Sequence, residues 1–315
     1  MFSTTNRLSE RGAESPGAGA PATLPAVLAL AVLGISSSGP LARVADAPAL
    51  AIATWRMMLA LCVVGGMLAV TGSHREWRQL ARRDLLVALG AGALLALHFW
   101  SWIASLGMTS IAASVLLVNL HPIVIVVGSA LWLSERPSRG QLIGLGVAVL
   151  GAVIVGFGDA GTSAPGSRAV LGNLLATLGA VAVGLYYLAG RSLRQRLSLW
   201  PYVGLVYGSC CITLLLLAVL TRTPLWPYAP GTLLTFAAIA IGPMLAGHTG
   251  FNWALRYVPA YVISLLLLLE PLGAGFIAWW LLDETPTAVV LAGGAVVLIG
   301  LGWSVKVEGA SPKAK

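Results

Sequence analysis

Between residues 49 and 71 the chain carries a single charged side chain, Arg56. Nine further stretches carry at most one, at approximately 24–42, 85–106, 110–133, 140–157, 169–190, 200–220, 231–251, 260–282 and 287–305. A helix needs roughly 20 mostly apolar residues to cross the hydrocarbon core of a bilayer. Ten such runs leave too little polar surface for a water-soluble domain: 10% of the residues are charged, against about 25% in an ordinary soluble protein. Mean hydropathy is +0.88. Alternation of apolar and polar residues is absent, which excludes a transmembrane barrel. The expectation is an all-α integral membrane protein with ten transmembrane helices.

The basic excess, a net charge of +8, reads as a topology signal and not as a nucleic-acid footprint. With ten spans and the N-terminus inside, fifteen of the 19 Lys and Arg fall in cytoplasmic segments. Arg43, Arg168 and Arg222 fall outside, and Arg56 lies within a span. Both termini are therefore expected in the cytoplasm. No cleaved signal peptide is expected, because no convincing cleavage site follows the first apolar run. Cys62, Cys210 and Cys211 all sit in apolar runs and are expected as free thiols.

The two halves repeat each other. At a spacing of 149, Pro122 matches Pro271, Glu135 matches Glu284, Pro137 matches Pro286, Gly144 matches Gly293 and Gly151 matches Gly300. Upstream the spacing becomes 150, pairing Ser114 with Ser264 and Ala104 with Ala254. Five spans per half is an odd number, so the second half enters the membrane from the opposite side. The expected organisation is a cytoplasmic tail over 1–22, a first repeat over 23–157, a linker over 158–168, a second repeat over 169–305 and a cytoplasmic tail over 306–315. Two inverted five-helix repeats are common in secondary transporters, whose sites lie near the midplane between the repeats. The bland alternative is a duplicated helical bundle with no transport role.

The segments from Leu120-His121-Pro122 to Leu133-Ser134-Glu135-Arg136-Pro137, and from Glu270-Pro271 to Leu282-Asp283-Glu284-Thr285-Pro286, resemble the twin signatures of the EamA branch of the drug/metabolite transporter superfamily. The resemblance covers essentially all ten spans. It implies ten helices around a central cavity and export of amino acids, metabolites or drugs, usually from the bacterial cytoplasm across the inner (plasma) membrane. It is specific to family and weak on substrate.

Ionisable groups at membrane depth are costly, so each is a functional candidate. Glu270 lies mid-span before Pro271, where desolvation favours its neutral form and a proton could be gained and lost. His121 takes the matching place before Pro122, and the two prolines are candidate helix pivots. Asn119 lies roughly 200° from His121 around a helix, so both can line one cavity only if the helix is distorted. His98 and Trp102 share a face one turn apart, and His248 sits near the place corresponding to His98. An imidazole- and aromatic-lined cavity would suit a planar, amphipathic or cationic substrate. Tyr187, with Tyr186 and Asn173, could add polar contacts. Arg56 either snorkels to the outer surface or faces the cavity as a counter-charge to Glu270 or an anchor for a substrate carboxylate. Glu135 and Glu284 read as structural residues at span ends.

Gly156-Phe157-Gly158-Asp159 matches a string of membrane aspartyl proteases, but no second Asp lies within a span, as that chemistry requires. No phosphate-cradling loop or metal-ligand spacing is present, so neither an enzyme nor a cofactor is expected. The reading is a secondary transporter with a small-molecule substrate, protons as the candidate coupling ion and the lipid bilayer as its medium. The alternatives are a flippase for lipids or apolar compounds, and an uncoupled uniporter or exchanger. The small-residue faces of the fifth and tenth spans fit either internal packing or a homodimer.

Overall fold

A computed structural model describes residues 20–108, 114, 117–135, 137–158, 168–282 and 288–310. The first 19 residues, Arg136, Asp159 with most of the linker, Asp283, Glu284, Pro286 and the last five residues lie outside the described set. Every regular element in that set is helical.

The first half comprises α1 (Leu24–Ser36), α2 (Ser38–Val44), α3 (Ala49–Thr71), a 3-10 turn (Ser73–Gln79), α4 (Arg82–Ser105), α5 (His121–Gly128) with a π-helical extension (Ser129–Leu133), and α6 (Arg139–Gly158). The second half comprises α7 (Ala169–Arg194), α8 (Leu199–Leu220), α9 (Pro230–Ile239), a π-helical stretch (Ala240–Thr249), α10 (Gly250–Ala254), α11 (Ala260–Leu267), α12 (Glu270–Leu282) and α13 (Ala288–Ala310). Seven described helical segments are long and apolar enough to cross a membrane. Three shorter apolar helices, His121–Leu133, Arg139–Gly151 and Leu291–Ser304, lie where the remaining spans are expected.

Local chemistry sets the helix ends. Pro25 sits in the first turn of α1, where its missing N–H leaves no bond unmade. Gly72, at φ +65°, ends α3 in the left-handed conformation that favours glycine. Asp84 in the first turn of α4, and Arg191 and Arg194 in the last turn of α7, complement the helix dipoles.

The surface is apolar: Leu131, Trp132, Leu216, Leu234 and Trp280 all point outward. Polar groups turn inward, with Arg56, His98, Asn119, His121, Arg194, His248 and Asn252 all buried. In lipid, apolar burial drives helix association only weakly, so close backbone approach and hydrogen bonds carry more of it. The glycines show where this happens. A Cβ on Gly34 would meet the Gly242 carbonyl oxygen at 2.7 Å, which brings α1 onto the π-helical stretch of residues 240–249.

Contacts between α6 and α13 carry the repeat into three dimensions. A Cβ on Gly144 would stand 2.7 Å from the Gly300 carbonyl oxygen, and one on Gly151 would stand 2.7 Å from that of Gly293. The two helices therefore run antiparallel. Shifting by 149 residues turns Gly144 into Gly293 and Gly151 into Gly300, so these are one contact seen from each half. The packing of α4 on α7 has its counterpart in the packing of the 240–249 stretch on α1.

Candidate functional site

Two helix breaks shape the site. The helix stops in a turn at Asn119–Leu120 and restarts at His121; it stops again at Leu268–Leu269 and restarts at Glu270. Pro122 and Pro271 each occupy the second position of the restarted helix, where no backbone N–H is required. The break resolves the geometry of Asn119 and His121. They are about 200° apart on a continuous helix, but the turn between them lets both face the same space.

That space is a cavity between the two halves of the chain. Arg56 from α3, His98 and Trp102 from α4, Asn119, His121, Tyr187 from α7, His248 and Glu270 all line it. The structure thus brings together eight of the side chains singled out in the sequence. Asn173, near the start of α7, does not line it, and Tyr186 lies behind the wall. Phe99, Ser38, Ile35, Val118, Val183 and Leu267 complete the lining and were not singled out.

The aromatic walls are ordered. His98 stacks on Trp102 with centroids 6.2 Å apart and planes 2° from parallel. Tyr187 stacks on His248 at 6.2 Å and 9°. Phe99 meets His248 edge-on at 5.1 Å, and the Arg56 guanidinium carbon sits 4.0 Å above the Phe99 ring. Arg56 does not snorkel; it is 1% exposed.

Hydrogen bonds fix which ring atoms are offered to the cavity. His98 Nδ1 lies 3.0 Å from the Gly179 carbonyl and His121 Nδ1 lies 3.0 Å from the Val118 carbonyl. A carbonyl only accepts, so Nδ1–H donates in both, and in the uncharged ring Nε2 is left as an acceptor. His121 Nε2, Trp102 Nε1, and Nε and Nη2 of Arg56 are buried with no protein partner. The cavity therefore offers a cation, a carboxyl group, imidazole acceptors and an indole donor between flat walls. Among the described residues, no group of three or more His, Cys, Asp or Glu could hold a metal ion.

One helical turn beyond Tyr187, the character changes. Arg191 Nε donates to Glu135 at 2.6 Å, and its Nη1 donates to the Leu255 carbonyl at 2.6 Å. The Ala260 N–H donates to the other Glu135 oxygen at 3.4 Å. Arg196 donates to both oxygens of Asp84 at 3.0 and 2.9 Å. Glu76 accepts from the N–H of Ser198, at the start of α8, at 3.1 Å. Three carboxylates of the first half thus engage residues 191–198 of the second. Between this belt and the cavity lies a buried network: Asn252 donates to Tyr186, Tyr207 bonds Thr249 at 2.9 Å, and Arg194 donates to the Asn252 carbonyl at 2.9 Å. This arrangement was not foreseen; the spacing of Tyr187, Arg191 and Arg194 on one helical face is the sequence signal that could have pointed to it.

Comparison with known proteins gives a consistent picture. The sequence profile of the EamA-like transporter family matches residues 24–157 and 170–305. An uncharacterized transporter of Archaeoglobus fulgidus is 25% identical over 262 residues, covering 80% of this chain and 87% of that one. The inner membrane protein YtfF of Escherichia coli is 27% identical over 311 residues, covering 91% of this chain and 95% of its own. A solved structure described only as a crystal structure of a protein superposes with a TM-score of 0.75 at 18% identity, over 92% of this chain and 99% of that one. That likeness concerns the fold.

Proposed function

The chain belongs to the EamA-like transporter family, a branch of the drug/metabolite transporter superfamily, and from there we propose that it is a secondary active transporter exporting small organic metabolites. It is a multi-pass membrane protein. The reading adds ten spans in two inverted repeats, both termini in the cytoplasm and residence in a bacterial inner membrane. The antiparallel, repeat-related packing of α6 and α13 supports the inversion. The inner-membrane name of the E. coli relative supports the location.

The observation that carries the reading is the cavity. Its lining draws on both halves, so motion of one half against the other would change access to it from either side. The state described here has its belt of carboxylate–arginine contacts at the end of Glu135, taken as the cytoplasmic end. Alternating access would exchange this arrangement for its repeat-related counterpart.

Glu270 is the proposed coupling group. It lines the cavity and is the only carboxyl group among the described residues that does so. Protonation from one side and release to the other would couple substrate movement to the proton gradient. The test is accumulation of substrate in proteoliposomes under an imposed pH gradient. Glu270→Gln is expected to abolish gradient-driven accumulation while sparing substrate exchange. Accumulation unchanged in the variant would remove Glu270 from the coupling.

A further inference from the structure

We propose that the cavity takes a flat organic molecule bearing a carboxylate, and that the Arg56 guanidinium holds that carboxylate. The inference rests on the cavity being the transport site and specifies the chemistry it recognises.

Arg56 is a buried cation without a matching anion. No carboxylate among the described residues lies within ion-pair distance of it; Glu270 faces the same cavity but does not reach it. Nε and Nη2, the atoms without a protein acceptor, are the two that form the lateral edge of a guanidinium. That edge presents two parallel N–H groups, the spacing that matches both oxygens of one carboxylate. Phe99, 4.0 Å below the guanidinium carbon, fixes where the edge stands. The arginines that hold the helices together spend their donors on protein acceptors, Arg191 on Glu135 and the Leu255 carbonyl and Arg194 on the Asn252 carbonyl.

The remaining walls define the body attached to the carboxylate. The stacked pairs His98–Trp102 and Tyr187–His248 offer flat faces, and the Trp102 N–H is a further donor without an acceptor. Such a lining accepts an aromatic or other planar group. A single cation close to Glu270 fits a monoanion better than a phosphate dianion. Glu270 could face a proton or an amino group of the same ligand, so carboxylates with and without an α-amino group are both within the proposal.

The experiment measures thermal unfolding of the purified full chain in detergent with benzoate, phenylacetate, indole-3-acetate, phenylalanine and tryptophan, each beside its carboxamide. Chloride and phosphate are run in parallel. A ligand that binds only the folded protein raises the melting temperature, and at a fixed concentration the rise grows with the logarithm of its affinity. At least one carboxylate is expected to bind tenfold or more tightly than its amide. Whether that carboxylate carries an α-amino group tells the two ligand types apart. Arg56→Gln should erase the preference and Arg56→Lys should keep only part of it. Without ligand, Arg56→Met should melt at the same or a higher temperature than the parent, because it removes buried donors that the fold does not satisfy.

The proposal is overturned if no carboxylate outperforms its amide, if Arg56→Gln keeps the preference, if only inorganic anions act, or if Arg56→Met lowers the melting temperature. Equal binding of amide and carboxylate would remove the anchor and leave the transport reading standing. Absence of any organic ligand, together with unaltered accumulation in Glu270→Gln, would remove both.

Discussion

The imidazole rings of His98 and His248 lie 6.4 Å apart at 65° in the wall of one cavity, and they occupy the same position of the two repeats, 150 residues apart. Two histidines from matching places in the repeats therefore meet in one wall, yet their surroundings differ. His98 is tied to the Gly179 carbonyl, whereas His248 faces the Tyr187 hydroxyl at 3.4 Å. The two halves share this side chain but surround it with different polar partners.

This contact makes the two rings energetically dependent. His98→Ala and His248→Ala should each weaken ligand binding, and the double variant should depart from the sum of the two by about 0.5–3 kcal/mol. Binding measured by ligand-induced thermal shift across the four proteins checks it. Simple additivity would separate the two rings.

The glycine contacts of α6 and α13 make a sharper structural prediction. Gly300→Ala places a methyl group against the backbone of Gly144 and Ala148, whereas Gly302 has nothing within 4 Å. The first substitution should destabilise by about 1–3 kcal/mol and the second by far less. Melting temperatures in detergent decide. Equal effects would mean that the two helices do not pack through this face.

Much of this architecture was legible in the sequence, for physical reasons. Charge is so costly at membrane depth that the few ionisable side chains inside apolar runs mark the interior, which is why Arg56, His98, His121, His248 and Glu270 stood out. The register of 149 exposed the glycine pairs before any contact was known. Phe99 did not stand out, because a phenyl ring in an apolar span carries no sequence contrast; its place under Arg56 is a tertiary fact. The ion pair of Glu135 with Arg191 joins residues 56 positions apart and cannot be read from either alone. For Asn119 only a condition was legible, a broken helix, and the turn at Asn119–Leu120 meets it. The π-helical stretch Ala240–Thr249 was missed, although Pro243 within it is the kind of residue that disturbs an α-helix.

Glu135 should act as a fastener between the halves. Glu135→Gln removes the charge that Arg191 meets at 2.6 Å, with both side chains largely shielded from solvent. The expected cost is about 1–3 kcal/mol, concentrated where the contact closes the bundle. Hydrogen exchange should rise at the Ala260 amide and its neighbours, with little change at Gly144. Unchanged exchange there would show that the belt does not depend on this pair.

Alternating access through the cavity is tested most directly by asking from which side it can be reached. Ser38 lines the cavity and is small, so Ser38→Cys, in a chain whose Cys62, Cys210 and Cys211 have been replaced by Ala, places a single thiol there. A membrane-impermeant thiol reagent is applied to right-side-out and to inside-out vesicles. Labelling is expected from both sides, slowed by a bound substrate. Labelling from one side only, at every pH and substrate concentration, would contradict it.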